Sequence, residues 1–192
     1  SVVGFLFAAT LWPANFAFAH PHETPSTESV VDSLVMALGG QAAWDQARYL
    51  HFTFAGRRSH TWDRATGRHR VEGKDKEGKS FVVLSNLNSK QGDTYFDGLL
   101  VPADSPKHQE LLELAYGTWV NDTYWLLMPY KLRDPGVQLV YEGRETIEGR
   151  TYDKLALSFE KVGLTPGDHY WVYVDAETHL VGRWAYLLEG SG

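Results

Sequence analysis

The chain has 192 residues, of which 43% are hydrophobic and 14% aromatic, so it is long enough to bury the core of one domain. Its formal net charge is -6 and it has no long run of lysine or arginine, which argues against a nucleic-acid partner and against a polybasic membrane surface. It contains no cysteine, which excludes disulfides, thiol chemistry and a lipid-modified cysteine.

The N-terminal stretch has the features of a secretory signal. Residues 1–19 carry no charge and end in Ala17-Phe18-Ala19, the small-x-small pattern that signal peptidase reads, although the usual Met and basic n-region are missing. An uncleaved anchor is the alternative, but Pro13 and Asn15 interrupt a run that is already short for a membrane span. We expect cleavage before His20, a polar tether over residues 20–27, and a single domain over residues 28–192 that is soluble in the periplasm.

The first half of this domain is predicted to be a helix followed by an antiparallel meander. Apolar residues recur with helical spacing from Val30 to Leu38, Ser26 or Thr27 can cap that helix, and Gly39-Gly40 ends it. A short helical turn over residues 41–47 follows. From Tyr49 the apolar period becomes two, which predicts strands over 49–55, 59–63, 68–73, 80–87 and 94–96.

The second half is predicted to be a helical region and four further strands. Ser105-Pro106 is a helix start, and the apolar pattern continues, as one long or one broken helix, through the aromatic stretch that Pro129 closes. The turn Asp134-Pro135-Gly136 leads into strands over 137–142, 152–159, 170–174 and 180–188. Because helices and strands do not alternate, the sequence predicts an α+β fold with an antiparallel sheet.

One literal motif match has the wrong context. Residues 73–80, GKDKEGKS, match the phosphate-binding pattern G-x-x-x-x-G-K-[ST], which requires a buried strand before it and a helix after it. The preceding residues 68–72 are polar and the following residues 81–84 are β-branched and strand-like. We therefore interpret this stretch as a charged hairpin loop.

The titratable residues do not form a recognisable catalytic or metal motif. The eight histidines are spread over separate elements without a compact ligand set, and no G-x-S-x-G sequence occurs, so neither a metal nor any other cofactor is predicted. Carboxylates that could pair across a sheet are interpreted as turn and cap residues. They are Asp63, Glu72, Asp97 and Asp122, and for the last of these we expect that it, or Asn121, caps a helix.

The aromatic residues are the main candidates for a binding site. Any one of them can be an ordinary core residue, but together they exceed what a sheet and one helix layer pack as a solid core. This surplus indicates an apolar cavity, which is the form that most small-ligand sites take.

Three stretches carry a resemblance to a known family. They are YVDAETHLVGR at 173–183, NDTYWL at 121–126 and PYKLRDPG at 129–136. With the order of elements, they make residues 28–188 similar to the bacterial outer-membrane lipoprotein-sorting proteins, the LolA-like superfamily. The resemblance implies a half-open β-barrel whose concave apolar face is covered by helices and holds acyl chains without chemistry. It also implies membrane-bound donor and acceptor partners and a lid-latching arginine, for which Arg68 and Arg70 lie in the plausible region.

The sequence therefore predicts a periplasmic, non-enzymatic carrier or sensor of a lipid or lipoprotein acyl chain. The expected lid residues are Trp119, Tyr124, Trp125, Leu126 and Met128, and the expected wall residues are Trp62, Phe81, Tyr95, Trp171 and Trp184. One alternative is an envelope hydrolase that uses a carboxylate or histidine in the same cavity, such as Asp122 or His169. Another is a structural or interaction module with a solid core.

Overall fold

A computed structural model describes residues 24–159 and 167–188. The predicted signal segment and the first part of the tether lie outside the described residues. The helices are α1 (Thr27–Ala37), α2 (Gln41–Gln46) and α3 (Pro106–Lys131). The strands are β1 (Tyr49–Phe54), β2 (Arg58–Asp63), β3 (Arg68–Lys74), β4 (Ser80–Asn86), β5 (Gln91–Phe96), β6 (Leu99–Leu100), β7 (Val137–Ile147), β8 (Arg150–Phe159), β9 (His169–Asp175) and β10 (Val181–Leu187).

The predicted α+β class and the antiparallel pairing are confirmed, but the strands form two sheets where the sequence analysis expected one. Strands β1 to β6 form a first sheet in sequence order, and β7 to β10 form a second sheet in the order β10-β9-β8-β7. In the described residues no strand of one sheet pairs with a strand of the other, and no closed barrel forms. The stretch 73–80, which matches the phosphate-binding pattern, forms the turn between β3 and β4. Lys74 and Ser80 pair across this turn, which confirms the hairpin interpretation.

Helix α1 begins and ends as its sequence predicts. The Ser26 hydroxyl accepts a hydrogen bond from the backbone N–H of Ser29, which satisfies one of the free donors of the first turn. The chain leaves the helix through Gly39 and Gly40, both at positive φ, where a side chain would be strained. Its buried stripe, Val30, Val31, Leu34 and Val35, packs against the second sheet.

Helix α3 is one continuous helix of 26 residues, about 39 Å long. Ser105 caps it by accepting from the backbone N–H of His108, and Pro106 occupies the first turn, where its missing N–H costs nothing. Pro129 does not close the helix, as the sequence analysis expected, but lies inside its last turn. This length lets α3 contact both sheets.

Two hydrophobic cores lie under the two halves of α3. Leu111, Leu112 and Ala115, in its first half, pack on Val71, Phe81 and Val83 of the first sheet. Met128 and Leu132, at its end, join α1 and the second sheet, whose buried members are Leu155, Leu157, Tyr170, Val172 and Val174. No helix in the described residues has both the length and the apolar content needed to span a membrane.

A small cluster formed by Trp44, Tyr130 and Arg64 fixes the C-terminal end of α3. Trp44 of α2 stacks on Tyr130 of α3, with ring centroids 4.4 Å apart and planes 12° from parallel. The Arg64 guanidinium lies 3.8 Å above the Trp44 ring, and the Tyr130 hydroxyl donates to the Leu38 carbonyl at 3.1 Å. Helix α2 therefore ties the first sheet to the end of α3.

Candidate functional site

A layer of large aromatic side chains lies between α3 and the two sheets. On the first sheet, Trp119 of α3 meets Trp62 of β2 edge to face, with centroids 5.1 Å apart. On the second sheet, the ring centroids of Tyr124 and Tyr170 are 5.5 Å apart, and those of Trp125 and Trp184 are 6.0 Å apart. We call the set Trp62, Trp119, Tyr124, Trp125, Phe159, Tyr170 and Trp184 the aromatic layer. All but Tyr170 are only half-buried.

The structure brings together six of the ten predicted ligand residues. Tyr124, Trp125, Met128 and Trp184 meet at the second sheet, and Trp62 meets Trp119 at the first. Phe81 lies on the α3 side of the first sheet, but in the separate core under the first half of the helix. Leu126 is 49% exposed and belongs to neither core.

The remaining two predicted residues face away from α3. Trp171 alternates along β9 with the buried core residues Tyr170 and Val172, so its side chain projects from the opposite face of the second sheet. Tyr95 alternates along β5 with the buried Thr94, which faces α3, and therefore projects from the outer face of the first sheet. Neither side chain lines the space under α3.

A chain of buried polar side chains connects β2, β3 and α3, and we call it the polar chain. The Arg58 guanidinium donates two hydrogen bonds of 2.8 Å to the Asp122 carboxylate. His60 Nε2 lies 2.9 Å from Asp122 Oδ2, and His60 Nδ1 lies 2.9 Å from His69 Nε2. Asp122 and His60 are fully buried, and His69 is 3% exposed.

The protonation of the polar chain follows from its surroundings. Burial opposes ionisation of Asp122, but hydrogen bonds from His60, Arg58 and Asn121 outweigh it and lower its pKa to about 2. Burial and the neighbouring His60 lower the pKa of His69 to about 4. At neutral pH Asp122 is therefore ionised and paired with Arg58, and His69 is neutral.

The expected cap role of Asp122 is wrong. Asp122 lies in the middle of α3, fully buried, and its carboxylate bonds to side chains of β2 rather than to the helix backbone. The pattern Asn-Asp-Thr is equally compatible with a cap, and the decisive partner, Arg58, is 64 positions away along the chain. One signal was present: an ionisable residue within an aromatic helical stretch must find a partner when it is buried.

Five buried polar atoms around α3 have no hydrogen-bond partner among the described residues. They are Trp62 Nε1, Trp119 Nε1, Tyr124 Oη, Trp184 Nε1 and His69 Nδ1. Four belong to the aromatic layer, and the fifth belongs to the polar chain. Because a buried polar atom without a partner costs about 1–3 kcal/mol, their grouping in one region marks a place where a hydrogen-bonding ligand or water is favourable.

An open groove of about 1130 Å³ lies between the first sheet and the first half of α3, and no side chain of the aromatic layer lines it. It is bounded by the first turns of α3, the β1–β2 turn and the β3–β4 turn, and Phe81 is the predicted ligand residue that lines it. Most of its lining is charged, with both signs represented: Arg57, Arg58, Lys74, Lys76 and Lys107 against Glu72, Asp75, Glu77 and Glu110. Arg58 therefore contacts the groove on one side and Asp122 on the other.

Comparison with known proteins adds no assignment: no family model, no curated protein and no solved structure matches the chain. Within the described residues, no group of three or more histidine, aspartate or glutamate side chains is placed to hold a metal ion.

Proposed function

We propose that this protein is a periplasmic carrier or sensor that binds a lipid or a lipoprotein acyl chain between α3 and the two sheets, without chemistry. In this proposal the sheets are the two sides of a half-open barrel, as in the LolA-like proteins that the sequence resembles, and α3 is the lid. The ligand contacts are Trp62, Trp119, Tyr124, Trp125, Met128 and Trp184. Cargo passes to and from membrane-bound partners.

The observation that carries the proposal is the contrast between the aromatic layer and the two cores. Core residues such as Leu155 and Val83 are fully buried, whereas the rings of the aromatic layer are mostly half-buried and carry four buried polar atoms without partners. In a solid-core interaction module the buried polar atoms of these rings would be paired, because buried Trp N–H and Tyr O–H groups usually have a hydrogen-bond partner. An interface of this kind supports insertion of a ligand.

Energetics favour an acyl chain as the ligand. Burying about twelve methylene groups yields roughly 10 kcal/mol before association costs are subtracted. Separating the Arg58 and Asp122 side chains, which hold α3 on the first sheet, costs about 3–5 kcal/mol. The gross gain from the chain exceeds the cost of separating this pair, so the Arg58–Asp122 bonds by themselves do not prevent binding.

Native mass spectrometry of protein purified without detergent, followed by organic extraction, tests the proposal. We expect a bound lipid or fatty acid in the wild type and its loss in Trp125→Asp. Trp171→Asp places the same charge on the outer face of the second sheet and should retain the ligand. An apo mass, with no uptake of a fluorescent acyl probe by the folded protein, would refute the carrier function.

A hydrolase remains the second candidate because the polar chain ends in an unpartnered nitrogen. Asp122, His60 and His69 form a relay of the kind that orients a catalytic histidine. A general base works best with a pKa near the working pH, and a pKa of about 4 makes His69 a weak base. Turnover of an acyl ester that is abolished by Asp122→Asn would establish the hydrolase. Ester binding without turnover supports the carrier.

A further inference from the structure

We propose that His69, Trp62 and Trp119 form a recognition site for an uncharged hydroxyl group on the head of the bound amphiphile. This inference rests on the proposed carrier function and specifies which class of ligand it takes.

The hydrogen-bond directions in the polar chain can be derived from its acidic end. The ionised Asp122 carboxylate only accepts, so His60 Nε2 carries a proton and donates to it. His60 is fully buried and Arg58 already offsets the charge of Asp122, so a second proton on His60 would be an uncompensated buried charge. With its one proton on Nε2, His60 accepts at Nδ1, so His69 Nε2 carries the proton of the next bond. Neutral His69 is left with a lone pair on Nδ1. This buried atom is an acceptor without a donor among the described residues.

Two donors without acceptors belong to side chains that neighbour His69. Trp62 is directly opposite His69 in the pairing of β2 with β3, so both side chains project toward α3. Trp119 contacts Trp62 edge to face from the helix. An indole N–H only donates, and both indole nitrogens are buried without a partner in the described part of the chain. The site therefore combines one acceptor with two donors.

This combination selects the chemistry of the ligand head. A hydroxyl group donates one hydrogen bond and accepts others, so it can donate to His69 Nδ1 and accept from the indole groups. A carboxylate or phosphate oxygen would face the His69 lone pair. Two of the five N–H groups of Arg58 are bonded to Asp122, and that carboxylate already offsets the charge of the guanidinium. A head group whose only polar function is an ester has no hydrogen-bond donor for His69 Nδ1.

The site therefore favours neutral amphiphiles with a free hydroxyl, such as a monoacylglycerol or a long-chain alcohol, over a fatty acid or its methyl ester. A buried hydrogen bond made or left unmade changes affinity by about 10-fold. We expect that ratio between an alcohol and a methyl ester of the same chain length.

The test is displacement of a fluorescent acyl probe by monomyristoylglycerol, myristate and methyl myristate at neutral pH, combined with NMR of the indole N–H groups. The wild type should bind monomyristoylglycerol about 10-fold more tightly than methyl myristate and shift the Trp62 and Trp119 indole signals. Trp62→Phe, which keeps an aromatic ring without the N–H, should reduce the preference, and so should His69→Phe. Trp171→Phe, on the outer face, should not.

The outcomes separate this inference from the carrier function. Equal binding of the three ligands, or tighter binding of myristate, would refute hydroxyl recognition and leave the carrier function in place. The same holds if the indole signals do not respond to the alcohol, because the three nitrogens would then hold only a buried water. If none of the three ligands displaces the probe, and the probe itself does not bind, both proposals fail.

Discussion

Arg58 of β2 and Asp122 of α3 lie 64 positions apart in the chain and are joined by two hydrogen bonds of 2.8 Å. The carboxylate is fully buried, whereas the Arg58 side chain is 26% exposed and borders the groove. This pair is the electrostatic connection between the middle of α3 and the first sheet. Its two members are not equivalent, because only Asp122 is fully cut off from solvent.

Removing the cation of this pair should strongly destabilise the fold. Arg58→Met leaves the Asp122 carboxylate buried with His60 and Asn121 as partners but without its cation, and we expect a loss of about 3 kcal/mol in the free energy of unfolding. Urea denaturation monitored by tryptophan fluorescence measures it. Arg57→Met, at the exposed neighbouring position, is the matched control and should change stability by less than about 0.5 kcal/mol. Equal effects of the two substitutions would show that Asp122 does not depend on Arg58.

Stability should fall as the pH is lowered from about 6.5 toward 4. The pKa of His69 is lowered to about 4 in the folded protein from an ordinary value of 6.5. In this pH range the unfolded chain binds a proton that the folded protein does not bind. The contribution of neutral His69 is therefore complete above about pH 6.5 and is lost as the pH approaches 4, with an upper limit of about 3 kcal/mol.

Urea titrations at several pH values measure this dependence. His69→Phe should flatten the dependence of the unfolding free energy on pH between 6.5 and 4. The control His169→Gln, at an exposed position, should leave that dependence unchanged. A His69→Phe protein with the wild-type slope would assign the pH dependence to other groups.

The cluster of Trp44, Tyr130 and Arg64 should control the local stability of α2. Tyr130→Leu removes the stack on Trp44 and the hydrogen bond to Leu38, whereas Tyr130→Phe removes only the hydrogen bond, which is worth about 1 kcal/mol. Hydrogen exchange of the α2 amides should accelerate in the order wild type, Phe variant, Leu variant. Unchanged exchange in the Leu variant would mean that α2 is held by other contacts.

Two glycine substitutions should have opposite effects. Gly117 lies inside α3 and a Cβ there would meet no atom within 4 Å, so Gly117→Ala should stabilise the protein by about 0.5–1 kcal/mol. A Cβ on Gly92 of β5 would clash with the Leu84 carbonyl oxygen, so Gly92→Ala should destabilise the protein by more than 1 kcal/mol. Thermal unfolding of both variants checks the signs. A destabilised Gly117→Ala protein would indicate a contact that the described structure lacks.

The elements that depend on local chemistry were predictable from the sequence. The starts of α1 and α3 were predicted correctly, because the cap residues Ser26 and Ser105 bond to backbone groups three positions away. The hairpin of β2 and β3 was found because its turn residues and alternating strands are adjacent in the chain. The sequence analysis placed Trp171 and Tyr95 on the wrong faces of their sheets. A shift of one residue in strand register exchanges the two faces, and the sequence does not determine that register.

The polar chain was missed for a different reason. His60 and His69 lie on separate strands and have no ligand-like spacing, yet the pairing of β2 with β3 places them diagonally on the same face. That contact could have been inferred once the hairpin register was fixed. The link to Asp122 could not, since it depends on where α3 crosses the first sheet, and no local pattern encodes that position.

The two-sheet arrangement also sets an order of events in folding. Within each sheet every strand pairs with its neighbour along the chain, so both sheets can form through short loop closures. The bonds that attach the helices to the sheets are distant in sequence: Arg58 of β2 to Asp122 of α3 spans 64 positions, and the bond from the Tyr141 N–H of β7 to the Thr27 hydroxyl of α1 spans 114. Such closures are entropically costly and are expected to come last. Substitutions at Asp122 should therefore accelerate unfolding while leaving the folding rate nearly unchanged, so the contacts proposed to open for a ligand are also the last to form as the chain folds.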